Sequence, residues 1–208
     1  MLLAQRQVDD FTKVLASDAP APGGGSAAAL AGAVGAALTA MVCTLTAGRK
    51  KYAEHEDFVL AVQEKAEALR VQFIDVMDRD TEAFLVISRA YGMPKETDEE
   101  KAARSAAIQL GLVECIKTPF EMMELSLETI RLTDSLLGKF NTSSASDLGV
   151  GALSLRTAVQ GAWLNVLINI GSLKDKELAD HYRTQGSALV EQVVALSDHV
   201  YETVLTLV

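Results

Sequence analysis

The chain has 208 residues, of which 49% are hydrophobic but only 5% are aromatic, so its apolar mass is mainly Ala, Leu and Val. This length suits one domain with a sizeable core, and we expect residues 1–208 to form a single helical domain. The 28 acidic and 19 basic residues give a net charge of −9, and no stretch is basic enough to bind nucleic acid through its phosphates.

Apolar periodicity predicts six helices and no strand of useful length, which indicates an all-α bundle. The first helix covers about Val8–Ala16, and Ser17–Pro22 then holds the chain extended because residues before proline avoid helical geometry. The second helix begins in the following glycines and ends near Gly48. The third covers about His55–Tyr91. Its apolar stripe comprises Phe58, Val62, Ala66, Leu69, Phe73, Val76, Phe84, Ile87 and Tyr91.

The second half of the chain contains the other three helices. The fourth begins at a capping box, Thr97–Glu100, and we expect Pro119 to kink or split it. A polar loop, Gly138–Ser146, precedes the fifth helix at about Asp147–Ile170. The sixth starts near Lys174.

The second helix is unusual because no residue from Gly23 to Gly48 is charged, a length that could cross a bilayer. The stretch is mostly Ala and Gly and has few Leu, Ile or Phe to favour lipid. We therefore favour a buried central helix over a membrane span. The fifth helix is also apolar nearly all round. Burying two such helices in so small a domain predicts a homodimer.

Two features bear on the compartment. The N-terminal segment Met1–Arg6 becomes polar too early for a secretory signal. Cys43 and Cys115 lie in apolar helical sequence without a CxxC pair, which is typical of buried thiols in a reducing cytosol. We expect a cytoplasmic protein.

The loop Pro22-Gly23-Gly24-Gly25-Ser26 opens the second helix. Glycines let a backbone approach a ligand closely, and a helix start offers unpaired N–H groups at the positive end of the dipole. Ser26 adds a hydroxyl, so the loop suits a carboxylate, a carbonyl or an anion. It is not a P-loop, because no Lys-Ser/Thr follows and no strand precedes it. An N-terminal cap with close helix packing explains the same residues equally well.

Asp80 continues the apolar stripe of the third helix between Val76 and Phe84. A carboxylate on that side is costly to desolvate unless it is paired or protonated. A structural Asp satisfied by a helix N-terminus or a Lys is one interpretation. Because buried acids cluster at functional sites, we favour a functional one.

Other polar residues also lie in apolar surroundings. Asn165 and Asn169 are four residues apart in the fifth helix, so their amides face one way and need partners, either the protein or a heteroaromatic ligand. Asp147 at the start of that helix is most simply a cap. Lys51, after the second helix, suits the negative end of the helix dipole, but if it turns inward it could orient an acidic ligand or exchange a proton.

We expect no metal and no cofactor. His55, His181 and His199 are far apart in sequence and lack metal-ligand spacing. No nucleophile elbow and no Ser-His-Asp pattern is present. A hydrolytic reaction here would proceed without a metal or a covalent intermediate.

Five segments together resemble the cyclodeaminase/cyclohydrolase family of folate enzymes. They are Pro20–Ala29, Gly48–Tyr52, Asp80 with Ala83-Phe84, Ser146–Ala152 and Asn165–Asn169, and they span essentially the whole chain in order. The resemblance implies an all-helical homodimer with a tetrahydrofolate derivative as substrate in a cleft near the dimer interface. It implies no metal, no nucleotide and no other cofactor. From the charge and composition described above we also expect no nucleic-acid partner and no membrane partner.

The family carries out two reactions through a tetrahedral carbon between two nitrogens. A cyclohydrolase converts 5,10-methenyltetrahydrofolate to 10-formyltetrahydrofolate, and a cyclodeaminase forms the methenyl compound from 5-formiminotetrahydrofolate with release of ammonia. Ser88–Lys95 is more similar to the stand-alone bacterial proteins, so our hypothesis is the cyclohydrolase and the cyclodeaminase is the alternative. A helical dimer that binds folate without catalysis is an alternative of another class.

The resemblance supports one set of site residues, whose roles we infer. Asp80 or Lys51 handles the proton of the attacking water or departing amine. The helix start at Gly23, Gly24, Gly25 and Ser26 holds a polar edge or a carboxylate of the folate. Asp147, Asn165 and Asn169 read the pterin.

Overall fold

Six α-helices account for most of residues 2–208, the part of the chain that the computed structural model describes. They are α1 (Val8–Leu15), α2 (Gly24–Thr46), α3 (Glu56–Tyr91), α4 (Asp98–Ser135), α5 (Ala145–Gly171) and α6 (Lys176–Leu205). Short 3-10 turns at Leu3–Gln5, Lys50–His55 and Thr142–Ser144 complete the order, and these residues contain no strand. The predicted all-α class is confirmed. Met1, the first residue of the predicted domain and of the polar N-terminal segment, lies outside the described residues.

The ends of two helices follow the local chemistry predicted for them. Gly48, just after the end of α2, has φ = +71°, a left-handed conformation that glycine adopts without strain. At the start of α4 the Glu100 N–H donates to Thr97 Oγ1 at 3.1 Å, and the Thr97 N–H donates to the Glu100 carboxylate, also at 3.1 Å. The predicted capping box is therefore confirmed.

Pro119 does not split α4, which runs as one helix from Asp98 to Ser135. The proline lies close to the middle of the helix and is buried. The expected break is absent because helices pack against α4 along its length, with α3, α5 and α6 all in contact with it. Packing of this kind holds a helix together against the lost backbone hydrogen bond.

The helix α5 begins at Ala145, two residues earlier than predicted. Ser144 takes the N-cap position without a side-chain hydrogen bond, and Asp147 lies in the first turn. The expectation that Asp147 caps the helix is therefore wrong. Its charge still lies at the positive end of the helix dipole.

The small residues of α2 allow close packing on several sides. The helix contacts α3, α4 and α5, and a Cβ added to Gly32 would lie 2.3 Å from the Phe73 ring. One face remains open in the single chain, with Val34 42% and Met41 43% exposed. By length and composition this helix could span a membrane, and 56% of the apolar window is buried.

The apolar stripe of α3 does not lie wholly in the core. Leu69, Phe73 and Val76 are buried, as predicted. Phe84 is 42% and Tyr91 49% exposed, because the last turns of α3 extend along an open cleft.

Candidate active site

A cleft of about 370 Å³ lies where four helices meet: the start of α2, the second half of α3, the middle of α4 and the end of α5. This volume is in the range of small-molecule sites. The cleft brings together several of the sequence-predicted residues with others that the sequence did not single out. Its lining comprises Pro20, Ala21, Gly23, Gly24, Gly25, Ser26, Asp80, Thr81, Phe84, Ile87, Tyr91, Leu112, Cys115, Asn165, Ile168, Asn169 and Ser172.

Asp80 is the only carboxyl among these lining residues, which include no Lys, Arg or His. Its Oδ1 accepts a hydrogen bond from Thr118 Oγ1 at 3.2 Å. Burial raises the pKa of Asp80, and the Thr118 hydrogen bond offsets part of that rise. A carboxylate of raised pKa is a stronger base than an exposed one.

The backbone at Gly25 passes directly over this carboxyl group. A Cβ added to Gly25 would lie 2.3 Å from Asp80 Oδ2, whereas one added to Gly24 would be 3.8 Å from Asn165 Nδ2 and one at Gly23 would meet nothing within 4 Å. Only the third glycine is therefore required by the protein's own packing in the cleft. The sequence left a packing role and a ligand role open for the whole loop.

The start of α2 presents backbone donors to the same cleft. The first intrahelical hydrogen bond runs from the Ala27 N–H to the Gly23 carbonyl at 3.1 Å, so the N–H groups of Gly24, Gly25 and Ser26 precede the ladder. The Ser26 side chain is buried, and its Oγ lies 3.3 Å from Thr81 Oγ1. What the loop offers a ligand is thus mainly backbone N–H.

The two asparagines of α5 face these donors from the other wall. Asn165 Nδ2 donates to the Gly161 carbonyl at 2.9 Å. Asn169 Nδ2 donates to the carbonyls of Cys115 at 3.0 Å and Asn165 at 2.8 Å. Each amide is therefore held by protein carbonyls, and each residue also lines the cleft.

Cys115 contributes a thiol next to Asp80. Burial first, and then the charges of Asp80 and Glu114, raise the pKa of this thiol to about 11. It is protonated at neutral pH and is a poor nucleophile.

Apolar side chains line the rest of the cleft, and their role was not predicted from the sequence. Phe84 and Tyr91 are two helical turns apart on α3, and Ile168, which is 74% exposed, lies on α5. Two half-exposed aromatic rings can pack against a flat ligand. The sequence signal was ambiguous because the same residues continue a core stripe.

Lys51 and Asp147 do not line this cleft. Lys51 follows the far end of α2, a helix of 23 residues and so about 35 Å long. There its Nζ lies 5.2 Å from the centre of the Tyr52 ring, and Tyr52 Oη accepts a hydrogen bond from the Thr142 N–H at 3.3 Å, just before α5. Asp147, in the first turn of α5, is about 27 Å from Asn165 along that helix. Within one chain, Lys51 and Asp147 therefore lie apart from the other candidate residues, because both helices hold their two ends apart.

No group of three His, Cys, Asp or Glu side chains within residues 2–208 could hold a metal ion. The three histidines lie away from the cleft lining. His199 Nδ1 is 2.7 Å from Asp134 Oδ1, at a partly exposed contact between α6 and α4.

The fold and the cleft define an all-α protein with a site of small-molecule size, and comparison with known proteins identifies the family. The formiminotransferase-cyclodeaminase family model matches residues 7–188. A methenyltetrahydrofolate cyclohydrolase of Methylorubrum extorquens is 43% identical over 197 residues, which are 95% of this chain and 95% of that protein.

Two less similar proteins point to the same family. The formimidoyltransferase-cyclodeaminase of Rattus norvegicus is 33% identical over 88% of this chain, which spans only 34% of the rat protein. The crystal structure of formiminotetrahydrofolate cyclodeaminase from Thermotoga maritima superposes with a TM-score of 0.81 at 25% identity, covering 98% of this chain and 96% of that one. The chain belongs to the formiminotransferase-cyclodeaminase family, which confirms the resemblance seen in the sequence.

Proposed function

We propose that the chain is a methenyltetrahydrofolate cyclohydrolase, which hydrolyses 5,10-methenyltetrahydrofolate to 10-formyltetrahydrofolate. The observation that carries this is the cleft's charge: one desolvated carboxyl, Asp80, and no basic side chain among the lining residues. The methenyl carbon is part of a cationic amidinium, which such a carboxylate attracts. The 43% identical cyclohydrolase that matches the chain from end to end supports the same choice.

Asp80 is the proton carrier in this proposal. Its ionised carboxylate takes a proton from water as the water oxygen adds to the methenyl carbon, giving a tetrahedral carbon between two nitrogens. The carboxyl then returns the proton to N5 as the bond from carbon to N5 breaks, and the hydroxyl loses its own proton to form the 10-formyl group. One proton is released to solvent overall. The raised pKa of Asp80 suits both halves of this exchange.

The remaining lining residues hold the folate. The N–H groups at Gly24, Gly25 and Ser26 bind a carbonyl or carboxylate oxygen of the substrate. Asn165 and Asn169, on the opposite wall, read the pterin edge. The rings of Phe84 and Tyr91 then pack against its flat faces.

A second candidate function has its own support. The cyclodeaminase reaction passes through the same tetrahedral carbon with ammonia as the leaving group, and a cyclodeaminase shares this fold over nearly the whole chain. Asp80 would then deliver a proton to the departing amine. A third candidate is a protein that binds folate in this cleft without turning it over.

One absorbance assay, run with each of two substrates, tests these three functions. We expect purified protein to speed the loss of methenyl absorbance from 5,10-methenyltetrahydrofolate well above the buffer rate, and to leave 5-formiminotetrahydrofolate unchanged. A rise in methenyl absorbance from the formimino compound would instead assign the cyclodeaminase. Binding with decay at the buffer rate would assign a non-catalytic protein, and no binding would reject a folate function.

The proposal includes a homodimer formed through one apolar surface, the α2–α5 face, made of Val34, Met41, Val150, Leu164 and Ile168. Their exposed fractions run from 42% at Val34 to 74% at Ile168. On both helices α4 packs against a different side from the exposed residues, through Thr39 to Thr133 on α2 and Asn169 to Cys115 on α5. Because α2 and α5 also pack against each other, we infer that the exposed residues share one surface.

The exposed area supports a second copy on this face. The chain exposes 10801 Å², whereas a monomer of this size is expected to expose about 9,400 Å². Ile168 belongs both to the face and to the cleft lining, so a partner on the face would lie at the edge of the cleft.

A two-fold axis near the middle of α5 would bring opposite ends of the two copies together. The cleft of one subunit would then face Lys51 and Asp147 of the partner subunit. These two residues, which lie far from the cleft in their own chain, would thus reach it in the dimer, where they could orient the folate or assist proton transfer.

Charge on the α2–α5 face should break the dimer. We expect Leu164→Glu to sediment as a monomer and to lose turnover, because it would bury an unpaired carboxylate. The matched control is Leu110→Glu, which changes an equally exposed leucine on α4 and should remain dimeric and active. A wild-type protein that sediments as a monomer at micromolar concentration would contradict the proposal, and one that co-sediments with lipid vesicles would indicate a membrane contact instead.

Mixed dimers test whether the partner completes the site. Asp80→Asn and Lys51→Ala should each be weakly active alone. Unfolded and refolded together, they should recover about a quarter of the wild-type rate, because each mixed dimer has one site with both native residues. No recovery would show that Lys51 does not act across the interface.

A further inference from the structure

Pro119 leaves a carbonyl group free in the middle of α4. In an uninterrupted helix the N–H of residue 119 would donate to the carbonyl of Cys115, but proline has no N–H. Such a carbonyl, buried and without its usual donor, needs another partner. The helix remains continuous around it.

Asn169 on the neighbouring helix supplies that partner. Its Nδ2 donates to the Cys115 carbonyl at 3.0 Å and to the Asn165 carbonyl at 2.8 Å. An amide NH2 group has two protons, and both are used. The second bond fixes the side chain to its own helix, and the first fixes it to α4.

This arrangement sets what Asn169 offers to the cleft. Turning the amide over would place Oδ1 against two carbonyl oxygens, so only one orientation is favourable. Asn169 therefore presents an acceptor oxygen and no donor. Asn165 differs, because its Nδ2 has one protein partner, the Gly161 carbonyl, and keeps a second proton.

We propose that Pro119 is a positioning residue, which frees the Cys115 carbonyl to clamp Asn169 as an acceptor-only group for an N–H donor of the substrate's pterin ring. The inference rests on the proposed folate function and adds which edge of the ring this wall accepts. A ring nitrogen that carries a proton fits Asn169 Oδ1, whereas a bare ring nitrogen or a carbonyl meets a second acceptor.

The variant Pro119→Ala tests the clamp, because its new N–H competes for the Cys115 carbonyl. We expect KM for the methenyl substrate to rise about 5- to 10-fold, the value of one loosened hydrogen bond, with kcat changed by no more than about twofold. Thermal unfolding should not begin earlier than in the wild type, since alanine suits a helix interior better than proline. A structural role alone would lower stability without raising KM selectively.

A double-mutant cycle separates this mechanism from a general change in α4. Asn169→Ala should raise KM by itself, and adding Pro119→Ala to it should change KM no further. In Asn165→Ala, which leaves the clamp intact, Pro119→Ala should keep its full effect. Equal effects of Pro119→Ala in both backgrounds would overturn the proposal.

A measurement without substrate distinguishes this inference from the proposed function. The side-chain amide protons of Asn169 should exchange slowly with solvent in wild-type protein and faster in Pro119→Ala, as followed by NMR. Unchanged exchange would show that Pro119 does not control how the Cys115 carbonyl holds the Asn169 amide, and would overturn the proposal. Slow exchange in a wild-type protein that binds no folate would leave the clamp in place but overturn both its role in pterin recognition and the proposed function.

Discussion

Asp80→Asn is expected to lower kcat about 10²- to 10⁴-fold, the range for loss of a general acid–base group, while the protein still folds. Asparagine has nearly the same shape and can still accept the Thr118 hydrogen bond, but it cannot carry the proton. It also removes the only carboxylate among the cleft-lining residues, so binding of the cationic substrate should weaken. Steady-state kinetics on the methenyl substrate measure both effects.

A matched control is available about one and a half turns earlier in α3. Asp75→Asn removes an acid that pairs with Arg79 and does not line the cleft. Exposed ion pairs contribute little to stability, so this variant should keep wild-type kinetics. A similar loss in both variants, or near-wild-type turnover in Asp80→Asn, would contradict the assignment of Asp80.

The stability of Asp80→Asn should change in the opposite direction from its activity. Burial raises the pKa of Asp80, so the ionised carboxylate destabilises the folded protein once the pH exceeds the unfolded value of about 4. Asp80→Asn removes that penalty and should raise Tm at pH 7, by about 2–4 °C for each kcal/mol gained. Well below pH 4 Asp80 is protonated in both states, and the difference should disappear. A Tm that falls equally at both pH values would show that asparagine disturbs the packing instead.

Most of the fold could be predicted because its signals are local. The capping box at Thr97 and the glycine at Gly48 mark helix ends through hydrogen bonds and backbone angles that involve only neighbouring residues. Pro119 was harder. Its local effect is to interrupt a helix, but three packed helices override that effect and Asn169 takes up the freed carbonyl.

The site was predicted only in part, and the reason is three-dimensional. Asp80 and Asn169 were visible because polar groups on apolar stripes are costly to bury. Phe84 was assigned to the core, since periodicity shows which face a residue shares but not where the neighbouring helix stops covering it. Lys51 and Asp147 were grouped with the others by resemblance alone. Nothing in the sequence indicated that the helices α2 and α5 hold these two residues far from Asp80 within one chain.

Gly25→Ala is expected to lower turnover about 100-fold, the loss that a displacement of about 1 Å in a reacting group can cause. The new Cβ would lie 2.3 Å from Asp80 Oδ2 and 2.8 Å from its Cγ, so the carboxyl must move away from the Thr118 hydroxyl and the substrate. The helix itself should not suffer, because alanine is a better helix former than glycine. Kinetics together with a melting curve would separate displaced chemistry from lost folding.

Gly23→Ala provides the comparison within the same loop. Its Cβ would meet no atom within 4 Å, and Gly23 has an extended backbone with φ = −132° that alanine also adopts. This variant should keep turnover near the wild-type value unless the substrate itself lies against Gly23, in which case KM alone should rise. Combining Gly25→Ala with Asp80→Asn should cost no more than Asp80→Asn by itself, because both act on one carboxyl. Additive losses would mean that the new Cβ obstructs the ligand itself and does not act by displacing the Asp80 carboxyl.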